Sequence, residues 1–195
     1  MSQVFHKSAT VNRFAGDPSH FAKNPSRLGV VLNQHFLVTM LVSGALAMIG
    51  FDLFGQTISP LLKDLASPFL GAKLAPVALA TQTLSEILGV PAKTIRSLGL
   101  GHGVHVITGL VLYPLGYLLI AKPLADAIIA LPWWVTGTAY GIALFVFALY
   151  FVAHLIAGNP PFLGWGGITW VALWGHVVFG LVLAAVVRYR ATGGA

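Results

Sequence analysis

The chain has 195 residues, of which 57% are hydrophobic and only 8% are charged. Soluble domains carry about 25% charged residues, so this composition excludes an ordinary water-facing surface and indicates a membrane protein. The formal net charge is +6, but the basic residues lie mainly outside the apolar segments, which favours lipid headgroups over nucleic acid as the partner. The absence of cysteine excludes disulfides, thiolate metal sites and covalently attached haem.

The sequence divides into a polar, basic N-terminal arm at 1–33, a single membrane domain at 34–190 and a short tail at 191–195. The arm has too few apolar residues to form a core of its own. We therefore expect it to need a partner, either another membrane-protein subunit or a second copy of this chain. Its polar character also argues against a cleaved signal peptide.

Four segments remain apolar over the roughly 20 residues that a helix needs to cross the hydrocarbon core of a bilayer. Tryptophan and tyrosine residues lie near their ends, as in the interfacial aromatic belts of membrane proteins. The sequence thus predicts an all-α integral membrane bundle of four transmembrane helices, with a kink at Pro114 in the second. The predicted spans are about 35–54, 97–120, 133–156 and 168–187.

The connection between the first two spans, 55–96, is long and contains the stretch PFLGAKLAPVALATQTLSEILGV. Lys73, Pro76 and Glu86 make a fifth span unfavourable in this connection. An amphipathic helix on the membrane surface, or a re-entrant hairpin, is the expected structure.

The distribution of lysine and arginine predicts that both termini are cytoplasmic, because basic residues accumulate on that side of a membrane. In this orientation the cytoplasmic side holds Lys7, Arg13, Lys23, Arg27, Lys122, Arg188 and Arg190. The opposite side holds Lys63, Lys73, Lys93 and Arg96.

Three histidines in the apolar segments are each followed four residues later by a glycine. The pairs are His105 with Gly109, His154 with Gly158, and His176 with Gly180. Residues i and i+4 share a helix face, so each helix presents an imidazole with a patch of bare backbone one turn away. A fourth histidine, His102, precedes His105 by three residues.

Helix geometry predicts which of these histidines lie at similar depth. With a rise of about 1.5 Å per residue, His105 and His176 lie about 6 Å and 2 Å from the membrane midplane. His102 and His154 lie about 10 Å and 13 Å from it, on the same side. Depth therefore pairs His105 with His176, and His102 with His154. Asp52, near the same end of the first span, is a candidate proton relay because intramembrane acids usually have a function.

Three interpretations of the histidines are open. A pair could ligate one haem b iron from opposite sides, with Gly109, Gly158 and Gly180 allowing the porphyrin to approach the backbone. The histidines could instead form a proton or ion site, or only hydrogen-bond between helices. No His-Glu-x-x-His zinc motif is present, so the sequence predicts no metal centre and leaves the cofactor open.

The segments GHGVHVITGLVLYPLGYLL, YGIALFVF and WGHVVFGLVLA resemble small four-helix bacterial inner-membrane proteins of uncharacterised function, in which His-x-x-x-Gly recurs in consecutive helices. The resemblance covers roughly 98–188 and implies four helices in a bacterial inner membrane. It implies no reaction, and it includes neither the long loop nor the arm.

The sequence contains no nucleophile elbow and no strand followed by a phosphate-binding loop. We therefore expect a non-catalytic subunit or accessory protein of a larger bacterial membrane complex. One alternative is a haem- or quinone-linked redox protein that uses the histidines of the last three spans. The other is a small transporter or ion pathway, for which an internal repeat and matched broken helices would be expected.

Overall fold

A computed structural model describes residues 34–128 and 131–193, so the expectations for the arm at 1–33 fall outside the described residues. In these two ranges the chain is helical and forms no strand. Four helices are long and apolar enough to cross a membrane, which confirms the predicted all-α membrane bundle. In chain order, the helices of six or more residues in these ranges are α1 (Gln34–Leu61), α2 (Pro76–Leu88), α3 (Ala92–Ser97), α4 (Leu100–Ile128), α5 (Trp133–Ile156) and α6 (Gly167–Ala191).

The long helices pass through prolines because wide turns precede them. A proline lacks the backbone N–H and clashes with the carbonyl of the preceding turn, and a π-type turn relieves this by widening the backbone. Such turns end two residues before Pro60, Pro114 and Pro123, at Phe54–Ile58, Thr108–Leu112 and Tyr117–Ala121. As a result α1 continues to Leu61, beyond the predicted end of the first span.

Helix α6 is the most buried of the spanning helices and packs between α1 and α5. The face of α6 that carries Thr169, Ala172 and His176 is buried, since each of these residues is less than 7% exposed. Helix α1 packs on α6 with one side and on the middle of α4 with another. The order around the bundle is therefore α4, α1, α6 and α5.

Helices α5 and α6 approach so closely that their backbones touch. A Cβ atom added to Gly137 would lie 2.7 Å from the Gly180 carbonyl oxygen, and one added to Gly180 would lie 3.0 Å from the Gly141 Cα. Small residues on both helices are the usual basis of tight helix packing in membranes. The interface closes because neither helix has a side chain at the crossing.

Helices α4 and α5 follow one another in the chain but make little contact. At one end of the bundle, α2 bridges the gap: it packs on the start of α4, where Thr81 lies against Gly101, and on the end of α5. Its 13 residues rise about 20 Å, less than the roughly 30 Å of a bilayer core. Helix α2 thus covers one end of the gap between α4 and α5, and we call it the roof of the gap.

Candidate functional site

The gap between α4 and α5 forms a cleft of about 1090 Å³. Most of its wall is apolar, and the end covered by α2 includes the polar side chains of Gln82 and Asn159. Both His105 and His176 line this cleft. The first predicted histidine pair thus lies at one cavity, with one imidazole from α4 and one from α6.

His105 makes a hydrogen bond from its Nε2 atom to the Oδ2 atom of Asp52 at 3.1 Å. The other carboxylate oxygen, Oδ1, accepts a bond of 2.8 Å from the Gln56 side chain. An ionised carboxylate only accepts hydrogen bonds, so the imidazole carries a proton on Nε2, and in the neutral ring Nδ1 is an acceptor. Asp52 thereby fixes the tautomer and the orientation of a cleft-lining histidine.

His176 is 6% exposed and donates from Nδ1 to the carbonyl oxygen of Ala172, one turn earlier in α6, at 2.7 Å. Because a carbonyl oxygen can only accept, the neutral ring holds its proton on Nδ1, and its Nε2 is an acceptor. The Phe51 ring packs edge-on against this imidazole, with ring centroids 5.0 Å apart, and lies 6.5 Å from the His105 ring. Both imidazoles are therefore held by protein contacts.

The second predicted pair lies elsewhere. His102 is exposed on α4, and His154 near the end of α5 bonds from Nδ1 to the Asn159 carbonyl oxygen at 2.7 Å. Neither residue lines the cleft. His102 thus lies on the surface, and His154 bonds at the end of its helix. A role of either residue in ligand binding stays a prediction.

The three glycines that follow the histidines occupy different surroundings. Gly180 packs against the α5 backbone, and a Cβ atom at Gly109 would lie 3.0 Å from the sulfur of Met48. Gly158 adopts a left-handed conformation with φ of +68°, which is the usual way in which a glycine terminates a helix. In this arrangement the α5 backbone covers Gly180, whereas Gly109 lies against Met48 and also lines the cleft.

Tyr140 crosses the cleft near its other end. Its hydroxyl donates a 2.6 Å bond to the carbonyl oxygen of Tyr113 on α4, and its ring packs edge-on against Tyr117 at 5.3 Å. Gly116 makes room for this side chain, because a Cβ atom there would lie 2.7 Å from the hydroxyl oxygen. A single tyrosine thus links the two helices that the cleft separates.

A metal centre finds no support in the described part of the chain, where no group of three or more histidine, aspartate or glutamate side chains is placed to hold an ion. Bis-histidine haem would need one nitrogen from each imidazole on its iron. Because the Nε2 atom of His105 is bonded to Asp52 and the Nδ1 atom of His176 to the Ala172 carbonyl oxygen, the nitrogens left are Nδ1 of His105 and Nε2 of His176. A second nitrogen bonded to a carboxylate or to a carbonyl oxygen is usual for a metal-ligating histidine, so the geometry leaves haem as an alternative occupant of the cleft.

Sequence reasoning named Asp52 but did not pair it with His105. The predicted first span stopped at Phe54, which left Asp52 close to a helix end, whereas α1 continues to Leu61 and keeps Asp52 inside the span. The presence of a lone acid in an apolar helix was the available signal, because such an acid needs a polar partner. No comparable feature of the sequence indicated that Phe51 packs on His176 or that Tyr140 bonds to the Tyr113 carbonyl oxygen.

Comparison of this chain with protein-family models, with curated proteins and with solved structures finds no match.

Proposed function

We propose that this protein binds a lipid-soluble quinol in the cleft between α4 and α5. The observation that carries the proposal is that one mostly apolar cleft is lined by two imidazoles, from α4 and α6, whose orientations are fixed by Asp52 and by the Ala172 carbonyl. Ligand sites are typically apolar cavities with a few placed polar groups. The weak contact between α4 and α5 supports entry from the lipid phase.

The chemistry of the two histidines selects the reduced form of the ligand. In their neutral forms both rings have their proton engaged by the protein, on Nε2 in His105 and on Nδ1 in His176. Each remaining nitrogen accepts a hydrogen bond. A quinol offers two hydroxyl donors on a flat aromatic ring, whereas the corresponding quinone offers only acceptors. Phe51, Phe179 and Tyr113 add aromatic surface to the cleft wall, suited to a ring.

We place this protein in a bacterial inner membrane with both termini cytoplasmic. The basic residues of the described chain support the orientation together with those of the arm: Arg188 and Arg190 lie at the end of α6, and Lys122 lies near the end of α4. This orientation places α2 and the polar end of the cleft on the periplasmic side. A role as a subunit of a larger complex stays a prediction from the sequence and is compatible with quinol binding.

The test is a binding measurement on purified protein in one detergent, using a decyl-tailed benzoquinol kept reduced under argon. We expect saturable binding, weaker binding of the same molecule in its oxidised form, and about tenfold weaker quinol binding by His105→Ala and by His176→Ala, the effect of losing one hydrogen bond. His102→Ala is the matched control, because His102 lies three residues from His105 on the same helix but is exposed outside the cleft.

Two results would overturn the proposal. One is the absence of saturable binding, or equal losses in His102→Ala and His105→Ala. The other is an absorption spectrum of the purified protein with a Soret band and sharp α and β bands on reduction, abolished by His176→Ala, because this would assign the cleft to haem b.

A further inference from the structure

A second cavity continues the cleft toward the end of the bundle opposite α2. It has a volume of about 290 Å³ and lies between the last turns of α4 and the first turns of α5. Four residues line both cavities, so the two spaces adjoin along the groove between these helices. The shared residues are Ala121, Leu124, Tyr140 and Ala143.

The polarity of the combined groove changes along its length. At the α2 end the wall includes His105, His176, Gln82 and Asn159. In the second cavity the wall is almost entirely aliphatic, and the hydroxyl of Tyr140 is already engaged by the Tyr113 carbonyl. A groove with polar groups at one end and only apolar walls at the other matches an amphiphile in a single orientation.

We propose that the second cavity binds the aliphatic tail of the ligand whose ring lies at His105 and His176. The inference rests on the proposed function and extends it to the tail, of isoprenoid or alkyl type, and to its direction. The tail runs from the histidines past Tyr140 and reaches Leu124 and Ala139 between the ends of α4 and α5. Small residues on the α5 wall, Ala139 and Ala143, leave the space that the tail fills.

The experiment compares two quinols that share a ring, one without a tail and one with a decyl tail, on the full chain in one detergent. Ala143→Phe places a ring where the two cavities join. We expect this variant to bind the tailed quinol about tenfold more weakly, as displacement of two methylenes from an apolar site implies, and to bind the tail-less quinol within about twofold of the unchanged protein. Partition of the tail into detergent is the same for every variant and cancels in this comparison.

Ile142→Phe is the control, because Ile142 precedes Ala143 on α5 but is 45% exposed and lines neither cavity. If Ala143→Phe does not fold, Leu124→Trp fills the same junction from the α4 side. We call Ala143→Phe and Leu124→Trp the filled variants. The proposal is supported if either filled variant loses the tighter binding of the tailed quinol over the tail-less one, while Ile142→Phe binds both quinols as the unchanged protein does.

The failures of the two proposals are distinguishable. If neither quinol binds the unchanged protein, the proposed function falls. If both bind and the filled variants keep the full preference for the tailed ligand, the ring site stands and the tail site falls. Native mass spectrometry adds a third outcome: a phospholipid retained by the unchanged protein, lost in Ala143→Phe and not displaced by the tailed quinol would assign the groove to a bilayer acyl chain and overturn the inference.

Discussion

Helices α5 and α6 meet backbone to backbone, whereas α4 and α5, which are neighbours in sequence, stand apart around a cleft. The closed contact has glycine on both sides, at Gly137, Gly141 and Gly180. The open boundary carries a histidine and several tyrosines, and Tyr140 alone among them reaches across to a backbone carbonyl of the other helix. In a bilayer, helices associate through close packing and hydrogen bonds.

A membrane bundle can keep a cavity where two of its helices separate on the side that faces lipid. A soluble protein loses stability when an apolar gap opens, but a lateral gap in a membrane protein is filled by lipid or ligand. In this chain glycine closes one helix pair, and the other pair leaves a cleft that a molecule from the bilayer could fill. The α2 roof closes the polar end of the gap, where lipid would be a poor solvent for His105 and His176.

The largest effect is expected from breaking the closed contact with Gly180→Leu. The new side chain would enter the α5 backbone, where the Gly141 nitrogen would lie only 2.8 Å from even a Cβ. Overpacking of this kind costs about 3 kcal/mol or more when backbone must move. We expect little folded monomer in size-exclusion chromatography and a strongly lowered melting temperature. Gly103→Leu on α4 is the control, because no atom lies within 4 Å of a Cβ built there; similar melting temperatures for the two variants would contradict the account.

Much of this comparison could be predicted from the sequence, because helix length and the spacing of small residues are local properties. The four spans followed from the length of the apolar segments, and the shared helix face of His176 and Gly180 followed from their spacing of four residues. Depth along the helices predicted that His105 and His176 could share a site, and both residues line the cleft. These features depend on one helix at a time, or on the constraint that all helices share one membrane.

The remaining features depend on contacts between helices, which periodicity does not specify. The sequence did not indicate that α4 and α5 would separate, since a short connection usually joins packed neighbours. It also did not indicate that α2 would lie over the gap, because the bond from Gln82 to the Ala157 carbonyl joins residues 75 positions apart. The sequence shows Gly109 and Gly180, but it does not show whether a porphyrin or another helix packs against them, because that depends on the residues of the neighbouring helix.

A smaller effect is expected from opening the cleft further with Tyr140→Phe. The variant keeps the ring that packs on Tyr117 and removes the hydroxyl that bonds to the Tyr113 carbonyl. Such bonds in membrane proteins contribute about 0.6 kcal/mol on average, so the melting temperature should fall by a small, reproducible amount. Tyr150→Phe, at an exposed tyrosine of the same helix, provides the comparison. Equal changes in the two variants would mean that Tyr140 does not hold α4 and α5 together.

The smallest effect on the melting temperature is expected at the roof, from Gln82→Ala. The Gln82 amide donates to the Ala157 carbonyl oxygen at 3.0 Å and accepts from the Asn159 side chain at 3.2 Å, so it ties α2 to the end of α5. Asn159 also bonds to the carbonyl oxygen of Ala153, which keeps the α5 end ordered in the variant. The loss should therefore be local.

For this variant, amide hydrogen exchange across Pro76–Leu88 is the measurement, because local opening of one segment changes exchange there without changing global unfolding. A loss of about 1 kcal/mol corresponds to roughly fivefold faster exchange in α2, with rates in α5 and α6 unchanged. Glu86→Ala, at an exposed position on the same helix, should leave the exchange of α2 as it is. If Gln82→Ala also leaves it unchanged, α2 is held by its packing on α4 at Thr81 and Gly101, and the cleft is roofed from the α4 side alone.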